Sequence, residues 1–244
     1  MKNCYLITGA TSGLGEKIAQ ELSKEKYNVI ISGRNLKKLK QNFKKNVNIK
    51  HYISLDFENE INFEKLKKYF LRNKIKLNGI IHFGAIHNFY PLRSIDYKIF
   101  EKVYKTNVFS FIKLIQFFSE YKYRANKNLS FVSISSVSSL EGNKSISLYS
   151  SSKSAVNNLV KCYAKELAPK NIRVNSLIIG HTNFGMGGKI NKKLTRKQIK
   201  ILEDKHPLGF GGYVDVLNGV KFLIDGNSKW ITGTNLVIDG GYLL

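Results

Sequence analysis

A short apolar run, Tyr5-Leu6-Ile7, breaks into Thr8-Gly9-Ala10-Thr11-Ser12-Gly13-Leu14-Gly15, after which Leu14, Ile18, Ala19 and Leu22 fall at helical spacing. Strand, glycine-rich turn and helix in direct succession predict a β-α unit, and the alternation continues along the chain. Apolar runs at 27–32, 49–55, 79–82, 130–135, 172–178 and 235–238 read as strands. Helical patterns lie between them at 36–43, 60–72, 97–121, 149–168 and 213–224. The segment 97–121 reads as one long helix or two abutting ones, and Pro169 stops the helix before it. Near-continuous apolar strands alternating with helices are the pattern of a parallel sheet covered on both faces. With right-handed crossovers this predicts an α/β, doubly wound, Rossmann-type sheet. No linker, repeat or low-complexity tract divides the 244 residues, so 1–244 reads as a single domain.

The net charge is +23, from 40 Lys and Arg against 17 Asp and Glu. Such a balance suits nucleic acid or anionic partners when it is concentrated. Here the lysines are spread along the whole chain, which describes a solvated surface and no specific nucleic-acid site. No apolar run is long enough to span a membrane, and the N-terminus carries no export pattern. Cys4 and Cys162 lack metal or redox spacing, so a cytoplasmic protein with reduced thiols and no metal is expected.

The loop between the first strand and helix has the chemistry of a dinucleotide site. Gly9, Gly13 and Gly15 permit the tight turn, the approach of a pyrophosphate and close helix–strand packing. Thr11, Ser12 and Leu14 complete the loop, and the helix N-terminus presents unpaired N–H groups to the phosphates. After the second strand the chain reads Ser32-Gly33-Arg34-Asn35. An acid there would bind the ribose hydroxyls of NAD, whereas Arg34 accommodates the 2′-phosphate of NADP. NADP is therefore expected over NAD. Asp56, after the third strand, suits either the adenine edge or a helix N-cap.

A second motif stands in the middle of the chain: Ser136, then Tyr149-Ser150-Ser151-Ser152-Lys153, with the phenol and the ammonium one helical turn apart. Further matches are Asn107, Ile134-Ser135-Ser136-Val137, Ile172-Arg173-Val174-Asn175 and Ile231-Thr232-Gly233-Thr234-Asn235 through Asp239-Gly240-Gly241. Over essentially its whole length the sequence resembles the short-chain dehydrogenase/reductase family in its compact single-domain form. By overall pattern it is most similar to the 3-oxoacyl-carrier-protein reductases.

The resemblance implies an NADP-dependent oxidoreductase acting on a CH–OH/C=O group, with the reductase direction favoured. It makes Tyr149 the general acid in carbonyl reduction and Lys153 the charge that lowers its pKa, which is about 10 for a free tyrosine. Lys153 also bonds the nicotinamide ribose, Ser136 holds the substrate oxygen, and Asn107 positions a water that relays protons to Lys153. Two stretches depart from the family. His82-Phe83-Gly84-Ala85 replaces Asn-Asn-Ala-Gly, so the small residues that let the cofactor approach persist in shifted order without the asparagine side chains, and Phe83 and Gly84 are expected to meet the cofactor. Ile179-Gly180 replaces Pro-Gly, and Thr182 is the nearest threonine to the one that commonly bonds the carboxamide.

Substrate selection should come from loops at the carboxyl ends of the strands, here 87–92, 140–147 and 180–207. The last, with a lid at about 181–206, combines Gly185, Gly187 and Gly188 with a basic segment and reads as mobile. Two substrate types suit the pattern, a 3-oxoacyl thioester on an acidic carrier or a keto-sugar. Lys127 and Lys170 lie where a carrier could be met. The alternative is a cofactor-binding regulator without turnover. A homo-oligomer, a tetramer, is expected from the family's shared helices. Apolar residues of 97–121, among them Val103, Val108, Phe109, Phe111, Ile112, Leu114, Ile115, Phe117 and Phe118, suggest more apolar surface than one sheet contact covers.

Overall fold

A computed structural model of the chain describes residues 3–25, 27–59, 61–126 and 128–244. Lys127 and the first residue expected of the helix 60–72 lie outside these. The strands are β1 (Cys4–Thr8), β2 (Asn28–Gly33), β3 (Ile49–Ser54), β4 (Gly79–His82), β5 (Leu129–Ser136), β6 (Ile172–Ile179) and β7 (Asn235–Ile238). They form a sheet in the order β3-β2-β1-β4-β5-β6-β7, with every pairing parallel. The order reverses between β1 and β4, and the ends of those two strands, Thr8 and His82, pair directly. A crevice at such a reversal is where doubly wound sheets bind ligands.

The helices are α1 (Gly13–Lys24), α2 (Leu36–Phe43), α3 (Ile61–Arg72), α4 (Tyr97–Tyr104), α5 (Ser110–Phe118), α6 (Ser147–Leu167), α7 (Gly185–Asn191), α8 (Arg196–Asp204) and α9 (Tyr213–Ile224). Leu6, Ile30 and Ile80 point to one face of the sheet, where α3, α5 and α6 pack. Tyr5, Ile7, Ile31 and Ile81 point to the other, under α1, α2 and α9. Strands with both faces buried explain why these runs read as continuously apolar rather than alternating.

The long helical pattern 97–121 resolves into α4 and α5, joined by a π-helical turn at Lys105–Phe109. A π-turn adds a residue to the helix and often marks a functional position. Here it turns Thr106, Asn107 and Val108 inward. Of the apolar residues expected to spill over into an interface, Phe109 and Ile112 are half-buried and the rest do not spill over. Val103, Val108, Phe111, Leu114, Ile115, Phe117 and Phe118 are all buried within the chain, Phe117 and Phe118 in an aromatic cluster with Phe70 and Tyr123. They are ordinary core. The outward aromatic strip on this unit is Tyr97, Phe100 and Tyr104, with Phe100 stacked on Tyr104 at 4.5 Å.

The Ile172-Arg173-Val174-Asn175 motif in β6 works as scaffold. Arg173 donates to the carbonyls of Ile231 and Leu223, and Asn175 donates to Ile231 and accepts from the Thr234 N–H. These bonds register the C-terminal segment and β7 against β6. A Cβ on Gly180 would lie 2.7 Å from the Asp239 Cα, so only glycine lets the two chain ends pass this closely.

Candidate active site

The glycine-rich loop closes the crevice at the β1 end. Gly9 has φ +72°, and a Cβ there would sit 2.8 Å from the Phe83 carbonyl carbon. A Cβ on Gly15 would sit 2.6 Å from the Gly9 oxygen, so α1 packs on the loop only because position 15 is bare. Ser12 caps α1 with extended backbone and commits no side-chain bond to the cap. Its exposed hydroxyl and the first-turn N–H groups of α1 face the same cavity.

That cavity has a volume of about 520 Å³ and runs from Gly9–Gly15, Arg34 and Asp56 to Ser136, Tyr149 and Lys153. Arg34 is exposed at one end. Asp56 commits one carboxylate oxygen to the Glu58 N–H in a local turn, so it is a turn former ahead of α3 rather than its N-cap. Phe83, Gly84, Gly180 and Thr182 also line the cavity. Thr182 donates its hydroxyl to the Phe184 carbonyl at 3.0 Å, which leaves its oxygen lone pairs for an outside donor. A bare loop, an unpaired helix N-terminus and a guanidinium at the far end fit a nicotinamide dinucleotide.

At the other end the chemistry-bearing side chains converge. Ser136 ends β5, and its Oγ accepts from the Ser138 N–H at 3.2 Å. Tyr149 and Lys153 stand on successive turns of α6, with the Lys153 Nζ 5.9 Å from the Tyr149 ring centre. Lys153 is buried and donates to the Ile134 carbonyl at 2.7 Å. Burial pulls its ammonium down to about 8. Tyr149 opens onto the cavity but is enclosed by protein, and this pushes its phenol up to about 12, against the opposing pull of a Ser136 hydrogen bond. The ammonium is drawn to the Ile134 carbonyl, and burial is the largest influence on the phenol.

Asn107 is placed by the π-turn, and its side chain is engaged with protein. Its Oδ1 accepts from the Ile86 N–H at 2.8 Å, and its Nδ2 donates to the Ile86 carbonyl and to Ser152 Oγ, both at 3.0 Å. Ser152 in turn donates to the Tyr149 carbonyl. Both polar ends of the amide bond protein, so the Asn107 side chain fixes the segment after β4 against α6.

Among the cavity residues, Phe57 and Tyr242 escaped the sequence reading, whereas His87 opens the expected substrate loop 87–92. Phe57 packs against Gly84, where a Cβ would collide with its ring, and the adjacent Asp56 was the only available signal. His87 edges the Tyr149 ring, and Tyr242 reaches the cavity from the C-terminal tail while donating to Glu141 at 2.8 Å. The segment 181–206 is pinned as well as glycine-rich. Backbone bonds join Asn183 and His181 to Gly211, and His206 Nε2 accepts from the His181 N–H at 3.1 Å. Lys170 follows α6 and is exposed.

The family described as enoyl-(acyl carrier protein) reductase matches residues 9–243. The chain belongs to the short-chain dehydrogenase/reductase family, a class of oxidoreductases that act on alcohol and carbonyl groups. A 3-oxoacyl-(acyl-carrier-protein) reductase of Rickettsia typhi is 32% identical, over 98% of this chain and 96% of its own. An L-xylulose reductase of Caenorhabditis elegans is 26% identical, over 97% and 94%. Among solved structures, ElxO with NADP bound has a TM-score of 0.88 at 28% identity, covering 100% of this chain and 99% of its own. A 4-hydroxyisoleucine dehydrogenase complexed with NADH shares the fold with a TM-score of 0.91 at 24% identity, over 99% and 98%. Among the described residues no helix is long and apolar enough to cross a membrane.

Proposed function

We propose that this chain is an NADP-dependent reductase that converts a carbonyl of a small or carrier-bound substrate to a secondary alcohol. The observation that carries the reading is the convergence of Ser136, Tyr149 and Lys153 on one wall of a cavity that continues to the glycine loop and Arg34. When bound, the cofactor supplies the hydride. Ser136 Oγ holds the substrate oxygen, and the Tyr149 hydroxyl, protonated throughout the neutral range, passes its proton to that oxygen as the alcohol forms. The Lys153 ammonium offsets the negative charge left on the phenolate. Asn107 acts at one remove, through Ile86 and Ser152. Gly9, Thr11, Ser12, Gly13, Leu14 and Gly15 would hold the pyrophosphate. Arg34 would hold the 2′-phosphate, and Phe83, Gly84, Gly180 and Thr182 would meet the nicotinamide side.

Two substrate types support themselves on the relatives, 3-oxoacyl thioesters and keto-sugars. A screen following NADPH absorbance with both pools, run on wild type and on Tyr149→Phe, tests the reading. Turnover that survives loss of the phenol overturns it. A cofactor-binding regulator without turnover is the competing reading, and Tyr149-dependent turnover on any carbonyl excludes it. Association through the α4 strip of Tyr97, Phe100 and Tyr104 and residence in the cytoplasm, where Cys4 and Cys162 stay as free thiols, complete the proposal.

A further inference from the structure

His87 stands where the β4 loop meets the reactive end of the cavity, and the chain on both sides of it is held. Ile86 is clasped at N–H and carbonyl by the Asn107 side chain. Three residues on, the Tyr90 N–H donates to the Ser145 carbonyl at 2.6 Å, tying this loop to the one before α6. The imidazole packs edge-on against the Tyr149 ring, with centroids 4.4 Å apart at 74°, and against Phe89 at 5.3 Å and 86°. It lines the same cavity as Ser136, Tyr149 and Lys153. Among the described residues its ring nitrogens bond to no other residue, whereas His82, His181 and His206 are all engaged. A half-buried imidazole fixed beside the proton donor, with no other residue on its nitrogens, is a polar anchor for whatever occupies the cavity.

We infer that His87 is a specificity-determining residue that hydrogen-bonds a second oxygen of the substrate, carried one or two carbons from the reacting carbonyl. This rests on the reductase reading above, since it takes Tyr149 as the group that meets the first oxygen. Burial and, to a smaller extent, the charge of Lys153 hold the imidazole below the usual histidine range against a hydrogen bond to its own backbone carbonyl, so at neutral pH one N–H faces that carbonyl and the other nitrogen is a bare acceptor. A substrate hydroxyl donates to the bare nitrogen, and a substrate carbonyl takes the N–H in place of the backbone carbonyl. The substrate class is thus an α-hydroxyketone, α-diketone or β-oxo carbonyl compound rather than an isolated ketone.

Matched sets decide it: an α-hydroxyketone, a β-oxo ester and a plain ketone of similar length, each with NADPH. His87→Phe keeps a ring against Tyr149 but removes the nitrogens, and His87→Gln keeps hydrogen-bonding atoms. Wild type should prefer an oxygenated substrate over the plain ketone, and the arm that wins tells an α from a β oxygen. His87→Phe should lose ~10- to 100-fold in kcat/KM on that substrate, the scale of an unpaired polar group, with under ~3-fold change on the plain ketone. His87→Gln should recover part of the loss. If His87→Phe does not fold, His87→Gln and His87→Leu give the same comparison. Equal loss on both substrate types, or a wild type indifferent to the second oxygen, overturns the proposal and leaves hydride transfer standing. Turnover independent of Tyr149 overturns the reading beneath it instead.

Discussion

His82 Nδ1 lies 2.7 Å from Thr8 Oγ1, at the register where β4 and β1 end side by side. The second ring nitrogen lies 3.2 Å from Ser110 Oγ, and Ser110 donates its own hydroxyl to the Thr106 carbonyl. Ser110 must then accept from Nε2–H, which leaves Nδ1 to accept from the Thr8 hydroxyl. The string joins the start of the glycine loop to the π-turn that carries Asn107. It is satisfied only by the neutral imidazole, whose pKa burial pulls down to about 3.

Acid stability should therefore depend on His82. Its folded pKa is about 3 against 6.5 for the free group, so the unfolded chain takes up the proton first. The contribution is intact above pH 6.5 and is lost as pH falls from there toward 3, at up to about 1.4 kcal/mol per unit. Thermal melts from pH 7 to 4.5 should show a smaller drop for His82→Gln than for wild type. Parallel curves would mean the proton is accommodated in the folded state.

Carbonyl reduction should decline as pH rises through about 8. The phenol stays protonated to about 12, but Lys153 loses its charge near 8, and with it the offset for the developing phenolate. Lys153→Met should abolish this alkaline limb and weaken cofactor binding. Tyr149→Phe should cost at least ~100-fold in kcat with cofactor affinity retained. A rate that rises across pH 8 would refute the assignment of charge to Lys153.

The fold was legible because each β-α unit has its own local signal, and all seven strands fall within a residue or two of the expected ranges. Tyr149 and Lys153 were legible because helical periodicity alone brings them together. The sequence could not show that Lys153 turns to Ile134, or that Asn107 is spent on Ile86, since both depend on contacts between segments distant in the chain. The apolar face of 97–121 misled for a related reason: hydrophobic periodicity reports that a face is covered, not by what. His82 looked like a defect against the family pattern and proved to be a bonded substitute, because its partners Thr8 and Ser110 come from other elements.

Arg34 should set the cofactor preference. It lines the cavity at its exposed end, and no carboxylate stands at that position after β2. Charge-assisted bonds to a 2′-phosphate should favour NADPH by roughly 10-fold or more. Arg34→Asp removes that partner and adds a like charge, so fluorescence titrations should show the preference inverted. Equal NADH and NADPH affinity in wild type would remove the basis for an NADP enzyme.

The first turn of α7 should be intolerant of a single methyl group. A Cβ on Gly187 would collide with the Thr182 carbonyl oxygen, and one on Gly188 would lie 2.8 Å from the Asn183 oxygen. Neither neighbour yields easily, because Thr182 is bridged to Gly211 and Asn183 donates to it. The turn also seats Gly185 against the cofactor loop, where a Cβ on Gly13 would meet the Gly185 Cα at 3.1 Å. Gly187→Ala must therefore lift α7 away from Gly13 and Leu14, opening the cavity over both cofactor and substrate. Overpacking of this kind costs about 1–3 kcal/mol, which corresponds to ~5- to 150-fold in affinity if it falls on the closed form. KM for both ligands should rise, while Tm moves little because the turn lies at the surface. Gly142, with nothing within 4 Å of an added Cβ, supplies the control: Gly142→Ala should leave both constants unchanged. A Gly187→Ala enzyme with wild-type constants would show that this turn does not govern access to the site.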